Sequence, residues 1–215
     1  MSKRLRLMYG GTFDPFHNGH LHIATWARDH ANAEVFVTPA ADPPHRDATT
    51  ATATQRLDMV VLGIDDQQCI FADDRELRRD GPSYTYDTLA ELRRDVGAYV
   101  PLGILLGADS FLSLPTWHRW QELTSLAHLV VADRPGQDSL TGMSPALAEH
   151  VTNRLLTDPA ALTASPHGLV LQLRQPQIDI SATQIRQAIA AGRDDWRSLV
   201  DRGVATYIDD NGLYR

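Results

Sequence analysis

The sequence predicts an α/β fold: a Rossmann-like, doubly wound, mainly parallel sheet with helices on both faces, in one domain over residues 1–215. Three observations point there. Short apolar runs of strand length alternate with stretches of helical periodicity. Two of the runs, Val100 to Leu106 and His128 to Ala132, are nearly continuous, as in strands covered on both faces. No internal repeat, linker or low-complexity tract divides the 215 residues, a length that suits a single sizeable core.

Taken in order, Leu5-Arg6-Leu7-Met8-Tyr9 is short and mostly apolar and stops at Gly10-Gly11, so it reads as a buried first strand. A helical pattern runs from about Asn18 to His30, and Glu34 to Thr38 is a second strand stopped by Pro39. Ala40 to Ala53, rich in Pro, Asp, Ala and Thr, reads as a long loop, a kind of segment that is often functional. Gln55 to Leu62 is predicted helical, Gln68 to Ala72 a strand, and Thr85 to Arg94 a helix after the breakers Gly81 and Pro82. Beyond the two buried strands, Gln137 to Pro166 is polar and irregular, with a helix over Ser144 to Leu156. Leu169 to Leu173 is a last strand. A helical C-terminal part begins at about residue 181, with helices over Ser181 to Ala191 and Val200 to Asp209.

The formal net charge of −7 speaks against a general binder of nucleic acid or anionic membrane, which would carry a basic footprint. A local basic pocket for one phosphorylated ligand is compatible with it. The single cysteine, Cys69, lies in an apolar run without a flanking basic residue and reads as a small core residue. No intrachain disulfide is possible, no apolar stretch has the length of a membrane span, and the N-terminal apolar stretch is too short for a signal peptide. These features lead to the expectation of a cytoplasmic protein. The acidic pairs Asp65-Asp66, Asp73-Asp74, Asp194-Asp195 and Asp209-Asp210 read as solvated faces, and Trp120 and Trp196 as packing residues.

In parallel sheets the ligand crevice lies beyond the carboxyl ends of the strands, and the first of those ends is Gly10-Gly11. The segment Gly10-Gly11-Thr12-Phe13-Asp14-Pro15-Phe16-His17-Asn18-Gly19-His20 leads from that strand into the first helix. Two glycines allow unusual backbone geometry and close approach of a ligand. The helix start offers free amides and a positive dipole end, both suited to phosphate. His17 and His20, three apart, can face one side. The segment is neither a dinucleotide-binding G-x-G-x-x-G nor a Walker A loop. Structural histidines, a metal site or a plain tight turn are the competing readings of the same residues.

His17 to His20 also resembles the His-x-Gly-His signature of a nucleotidyltransferase superfamily. Ile180-Ser181-Ala182-Thr183-Gln184-Ile185-Arg186 is similar to its second motif, Ile-Ser-x-Thr-x-Ile-Arg. The resemblance is closest to the bacterial nicotinate-nucleotide adenylyltransferases and covers nearly the whole chain. It extends to Pro43-Pro44-His45-Arg46, to Asp74-Arg75-Glu76-Leu77 and Gly81 to Leu89, and to Gly107-Ala108-Asp109-Ser110. Pro115-Thr116-Trp117, Arg134-Pro135-Gly136 and Gly212-Leu213-Tyr214-Arg215 fit as well.

The resemblance implies AMP transfer from ATP to nicotinate mononucleotide. It assigns His17, His20 and Arg186 to catalysis. Gly10, Gly11, Thr12, Phe13, His17, His20, Gly107, Asp109, Arg134, Ile180, Ser181, Thr183 and Arg186 would bind ATP, and His45, Arg46, Tyr84, Thr85 and Trp117 the acceptor. Mg²⁺ is expected to arrive with ATP rather than in a protein cage of its own. Nucleic acid and membrane are not expected as partners, and a monomer or small homo-oligomer is.

Residue chemistry supports these roles more weakly. Thr85 opens a helix, where it either caps or holds an anion. Trp117 either stacks on a pyridine ring or packs. Asp109 either caps or accepts from a ribose, and Arg186 is a surface charge or a bidentate phosphate clamp. Ser181 with Gln184 reads as a capping box. A different mononucleotide acceptor, a non-catalytic nucleotide sensor and a metal-binding module are the rival functions.

Overall fold

The computed structural model describes residues 4–41, 50–133, 138–176 and 178–215. Seven strands form one sheet in the order β3-β2-β1-β4-β5-β7-β6, and every neighbouring pair is parallel. The strands are β1 Leu5–Gly11, β2 Ala33–Pro39, β3 Ile70–Ala72, β4 Leu102–Gly107, β5 His128–Asp133, β6 Leu155–Leu156 and β7 Val170–Arg174. Chain order runs one way from β1 to β3 and the other way from β4 through β5 to β7, with β6 at the edge beyond β7. The reversal therefore falls between β1 and β4, where an open α/β sheet forms its ligand crevice. Gly10-Gly11 and Gly107-Ala108-Asp109 stand at the carboxyl ends of these two strands.

The helices are α1 Asn18–Ala31, α2 Ala53–Ile64, α3 Thr85–Val96, α4 Ala108–Leu112, α5 Leu123–Leu126, α6 Pro145–Val151, α7 Ala182–Ala190 and α8 Arg202–Asp210. They enclose two apolar layers. One holds Leu5, Leu7, Val35, Val37, Met59, Val130, Ile185 and Trp196. The other holds Met8, Leu89, Leu102, Ile104, Phe111, Leu129 and Val131. β4 and β5 contribute to both layers, which is why their sequences show no alternation. No helix among the described residues is long and apolar enough to cross a membrane.

Several expectations need correction. The loop after β2 is shorter than Ala40 to Ala53, because Thr52 starts α2 with a reciprocal capping box: its hydroxyl accepts from the Gln55 amide while the Gln55 side chain accepts from the Thr52 amide. The third strand begins only at Ile70, because Cys69 adopts a left-handed φ of 60° and cannot continue the pleat. Cys69 is also only half-buried, and the Arg4 guanidinium donates to its Sγ at 2.8 Å, so a basic group reaches it through the fold. Ser144 to Leu156 is not one helix: α6 ends at Val151, and a 3₁₀ turn leads into the two-residue edge strand β6. Asp73 is no solvated charge. It is buried and pairs with Arg75 at 2.5 Å. Trp196 is core and Trp120 packs against the second layer.

Candidate active site

A cleft of about 1210 Å³ opens at the β1/β4 reversal. Its walls carry all the sequence-predicted site residues that are described: Gly10, Gly11, Thr12, Phe13, His17, His20, Gly107, Asp109, Ile180, Ser181, Thr183 and Arg186, together with Tyr84, Thr85 and Trp117. His45, Arg46 and Arg134 lie outside the described residues.

The turn after β1 achieves its shape differently from the glycine reading. Neither Gly10 nor Gly11 has a positive φ, and the left-handed residue is Phe13, at 53°. What glycine supplies is space: a Cβ on Gly11 would sit 2.7 Å from the Phe13 ring. Phe13 is buried against Tyr9 and Phe16, with ring centroids at 5.4 and 5.6 Å. This aromatic packing offsets the unfavourable backbone.

His17 is the N-cap of α1. Its Nδ1 accepts from the His20 amide at 3.3 Å, and the two imidazoles stack with centroids 3.6 Å apart. Gly19 makes room for this pair, since a Cβ there would lie 3.0 Å from the His17 ring. Burial pushes the His17 pKa down to about 4, so the ring is neutral near pH 7. With Nδ1 occupied as an acceptor, the proton resides on Nε2. His20 stacks on Phe16 at 5.6 Å and meets Phe13 edge-on at 5.0 Å, so its ring too is fixed in place.

Opposite α1, α7 presents its own N-terminus. The Ser181 hydroxyl accepts from the Gln184 amide at 3.2 Å, which gives the capping half of the expected box. One turn in, Arg186 donates from Nη1 to the Asp14 carbonyl at 2.7 Å and from Nη2 to the Thr183 hydroxyl at 3.2 Å. The guanidinium is thereby tied to the turn that carries the histidines, although 172 positions separate Arg186 from Asp14. Two helix starts, two imidazoles and one arginine thus converge on one space, an arrangement that favours a polyphosphate.

On the side of the cleft backed by the second apolar layer, α3 begins at Thr85 with Tyr84 as its N-cap, and no side chain caps it. The reading of Thr85 as a plain cap is therefore incorrect. Trp117 meets both readings in part: it lines the cleft and packs at its base against the second apolar layer. The Tyr84 and His118 rings lie 4.6 Å apart beside it. Asp109 is exposed in the first turn of α4, which has Gly107 as N-cap and no side-chain cap, so Asp109 does not cap.

Four residues without a role in the sequence reading are central here. Arg56 is fully buried in α2 and donates to the Thr12 carbonyl at 2.7 Å and the Ala41 carbonyl at 3.2 Å, holding the turn to the end of β2. The Asp14 carboxylate accepts from the amides of Thr50 and Ala51 and from the Tyr214 hydroxyl. Glu76 is buried in the cleft wall, accepts from the Thr88 hydroxyl at 2.7 Å, and is held above the usual carboxylate range by burial. For Arg56 a signal existed: it occupies the i, i+3, i+4, i+7 stripe with Met59, Val60 and Gly63, where a charge must have buried partners. For Tyr214 nothing local marked a contact 200 positions away.

A family model described as cytidylyltransferase-like matches residues 8–188. A Stenotrophomonas maltophilia protein called a probable nicotinate-nucleotide adenylyltransferase is 47% identical over 98% of this chain and 97% of its own. One from Pseudomonas fluorescens with the same description is 44% identical over 100% and 99%. The chain belongs to the nicotinate-nucleotide adenylyltransferase family. Among solved structures, Plasmodium falciparum nicotinic acid mononucleotide adenylyltransferase in complex with NaAD superposes with a TM-score of 0.75, covering 98% of this chain and 97% of that one. At 16% identity that likeness shows the shared fold.

Proposed function

We propose that this chain transfers AMP from ATP to nicotinate mononucleotide, forming nicotinate adenine dinucleotide and pyrophosphate. The full-length relatives of the family carry that activity in their descriptions. The observation that carries the reading is the placement of His17, His20 and Arg186 on one cleft that Tyr84, Thr85 and Trp117 also line. The first set suits a triphosphate, and the second suits a flat ring bearing a carboxylate.

An oxygen of the acceptor's 5′-phosphate attacks the α-phosphorus of ATP. The bond to the bridging oxygen breaks, and its electron pair leaves with pyrophosphate. A phosphate monoester has a second pKa of about 6, so the attacking oxygen already carries charge and no general base is required. The protein's task is alignment and stabilisation of charge on the transferring phosphoryl group. The neutral His17 ring offers Nε2–H to that charge. His20 stacks beside it, and Arg186 with the α7 N-terminus receives the departing pyrophosphate. Among the described residues, no three His, Cys, Asp or Glu side chains group as a metal site. Mg²⁺ would bind through the phosphates of ATP and screen their charge.

Pyrophosphate release measured with ATP and a panel of mononucleotides tests the proposal. Release is expected with nicotinate mononucleotide and should be weaker with its amide. A purified, folded protein that binds ATP but releases no pyrophosphate with any mononucleotide would be a nucleotide sensor instead.

A further inference from the structure

Asp14 lies in the turn after β1 and is only 5% exposed. Its carboxylate receives three hydrogen bonds: from the Thr50 amide at 3.0 Å, the Ala51 amide at 3.3 Å and the Tyr214 hydroxyl at 2.7 Å. Its carbonyl receives Arg186 at 2.7 Å. One residue therefore joins the histidine-bearing turn, the chain entering α2, the arginine of α7 and the segment after α8.

Tyr214 is the most distant of these partners and the one placed with least freedom. It is 6% exposed, its φ is 64°, a region uncommon for a residue with a side chain, and its hydroxyl also lies 3.9 Å from Met59 Sδ. An aromatic residue needed only for packing would gain nothing from a hydroxyl here, and a buried hydroxyl has to find a partner. The partner it finds is the carboxylate that orients the phosphate-binding turn.

We infer that Tyr214 is a positioning residue for the ATP end of the cleft, acting through Asp14 on the turn that carries His17 and on the carbonyl that aims Arg186. The inference rests on the adenylyl-transfer reading and adds to it a residue that touches no substrate. It separates Tyr214 from Tyr84, Thr85 and Trp117, with none of which Asp14 forms a hydrogen bond among the described residues.

The test is Tyr214→Phe, which keeps the ring and its packing, with steady-state kinetics measured for both substrates. The expected result is a fall of about tenfold in kcat/KM for ATP, the effect of one buried hydrogen bond, with KM for nicotinate mononucleotide changed less than twofold. Asp14→Ala and the double variant complete a cycle. If Tyr214 acts through Asp14, adding Tyr214→Phe to Asp14→Ala costs less than a further twofold. An unchanged kcat/KM in Tyr214→Phe, equal losses for both substrates, or a second independent tenfold loss in the double variant would each overturn the inference. An inactive wild type would instead defeat the adenylyl-transfer reading, so the two failures are distinguishable. Thermal melting of every variant separates loss of fold from loss of alignment.

Discussion

At the scale of single residues, the two imidazoles divide one task. His17 caps α1 and is neutral because it is buried, while His20 stacks on it and on Phe16. On the proposed reading, His20→Ala removes a charge-stabilising group and is expected to lower turnover by about 10²- to 10³-fold, the scale measured for single donors in preorganised sites. Circular dichroism should show the fold kept, and wild-type turnover in this variant would reduce His20 to a packing residue. Trp117 lines the cleft as the proposed contact to the acceptor's ring, so Trp117→Ala should raise the acceptor's KM by tenfold or more, about 1.4 kcal/mol or above, and leave the KM for ATP within twofold. Equal effects on the two substrates would place the indole in the core alone. These residues were legible in sequence because each belongs to a short motif whose chemistry can be read locally. Phe13 was misread through its neighbours: a pair of glycines suggests that the unusual backbone is theirs, and only packing shows that the aromatic next to them carries it.

At the scale of elements, α2 shows how a helix contributes to a site it does not line. Its buried stripe of Arg56, Met59, Val60 and Gly63 puts a guanidinium where apolar packing is the rule. Two backbone carbonyls, of Thr12 and Ala41, repay its burial. Arg56→Met keeps the volume but strands both carbonyls, a loss of about 2–4 kcal/mol. Urea unfolding should record that loss, together with a weaker affinity for ATP. A variant as stable as the wild type would mean that water replaces the guanidinium without cost. Helices and buried strands were readable from periodicity, and their ends moved by a residue or two where caps decide them. The short pieces were not readable. β6 has two residues, and α4 and α5 have five and four, too few for a period to register.

At the scale of the molecule, two buried histidines link stability to pH. His128 is fully buried: its Nδ1 accepts from the Leu169 amide at 3.1 Å, and its Nε2 donates to the Ser165 carbonyl at 3.0 Å. Burial lowers its pKa, as it lowers that of His17 to about 4. Groups whose folded pKa is depressed bind protons more readily when unfolded. Their contribution is therefore complete above the ordinary histidine value of about 6.5 and is lost as the pH falls from there. For His17 the loss continues down to about 4, with a slope approaching 1.4 kcal/mol per pH unit per histidine. Glu76, whose pKa is raised by burial, works in the opposite sense as the pH approaches the carboxylate range. Unfolding free energies measured from pH 7.5 to 4.5 should fall accordingly, and less steeply in His128→Gln. A wild-type profile that stays flat between pH 6.5 and 5 would contradict the neutral, doubly bonded His128. The sheet class and the place of the cleft followed from the strand pattern. Strand order did not, because the reversal at β1 and β4 depends on which side each crossover takes.

The bond from the His20 amide to His17 Nδ1 also limits what this imidazole is able to do. To pick up a proton at that nitrogen, the ring would have to let go of the first turn of its own helix. On the proposed reading, His17 is therefore a lender of hydrogen bonds and not a carrier of protons. A ring used in that way would have no protonation state to reset before the next molecule of ATP arrives.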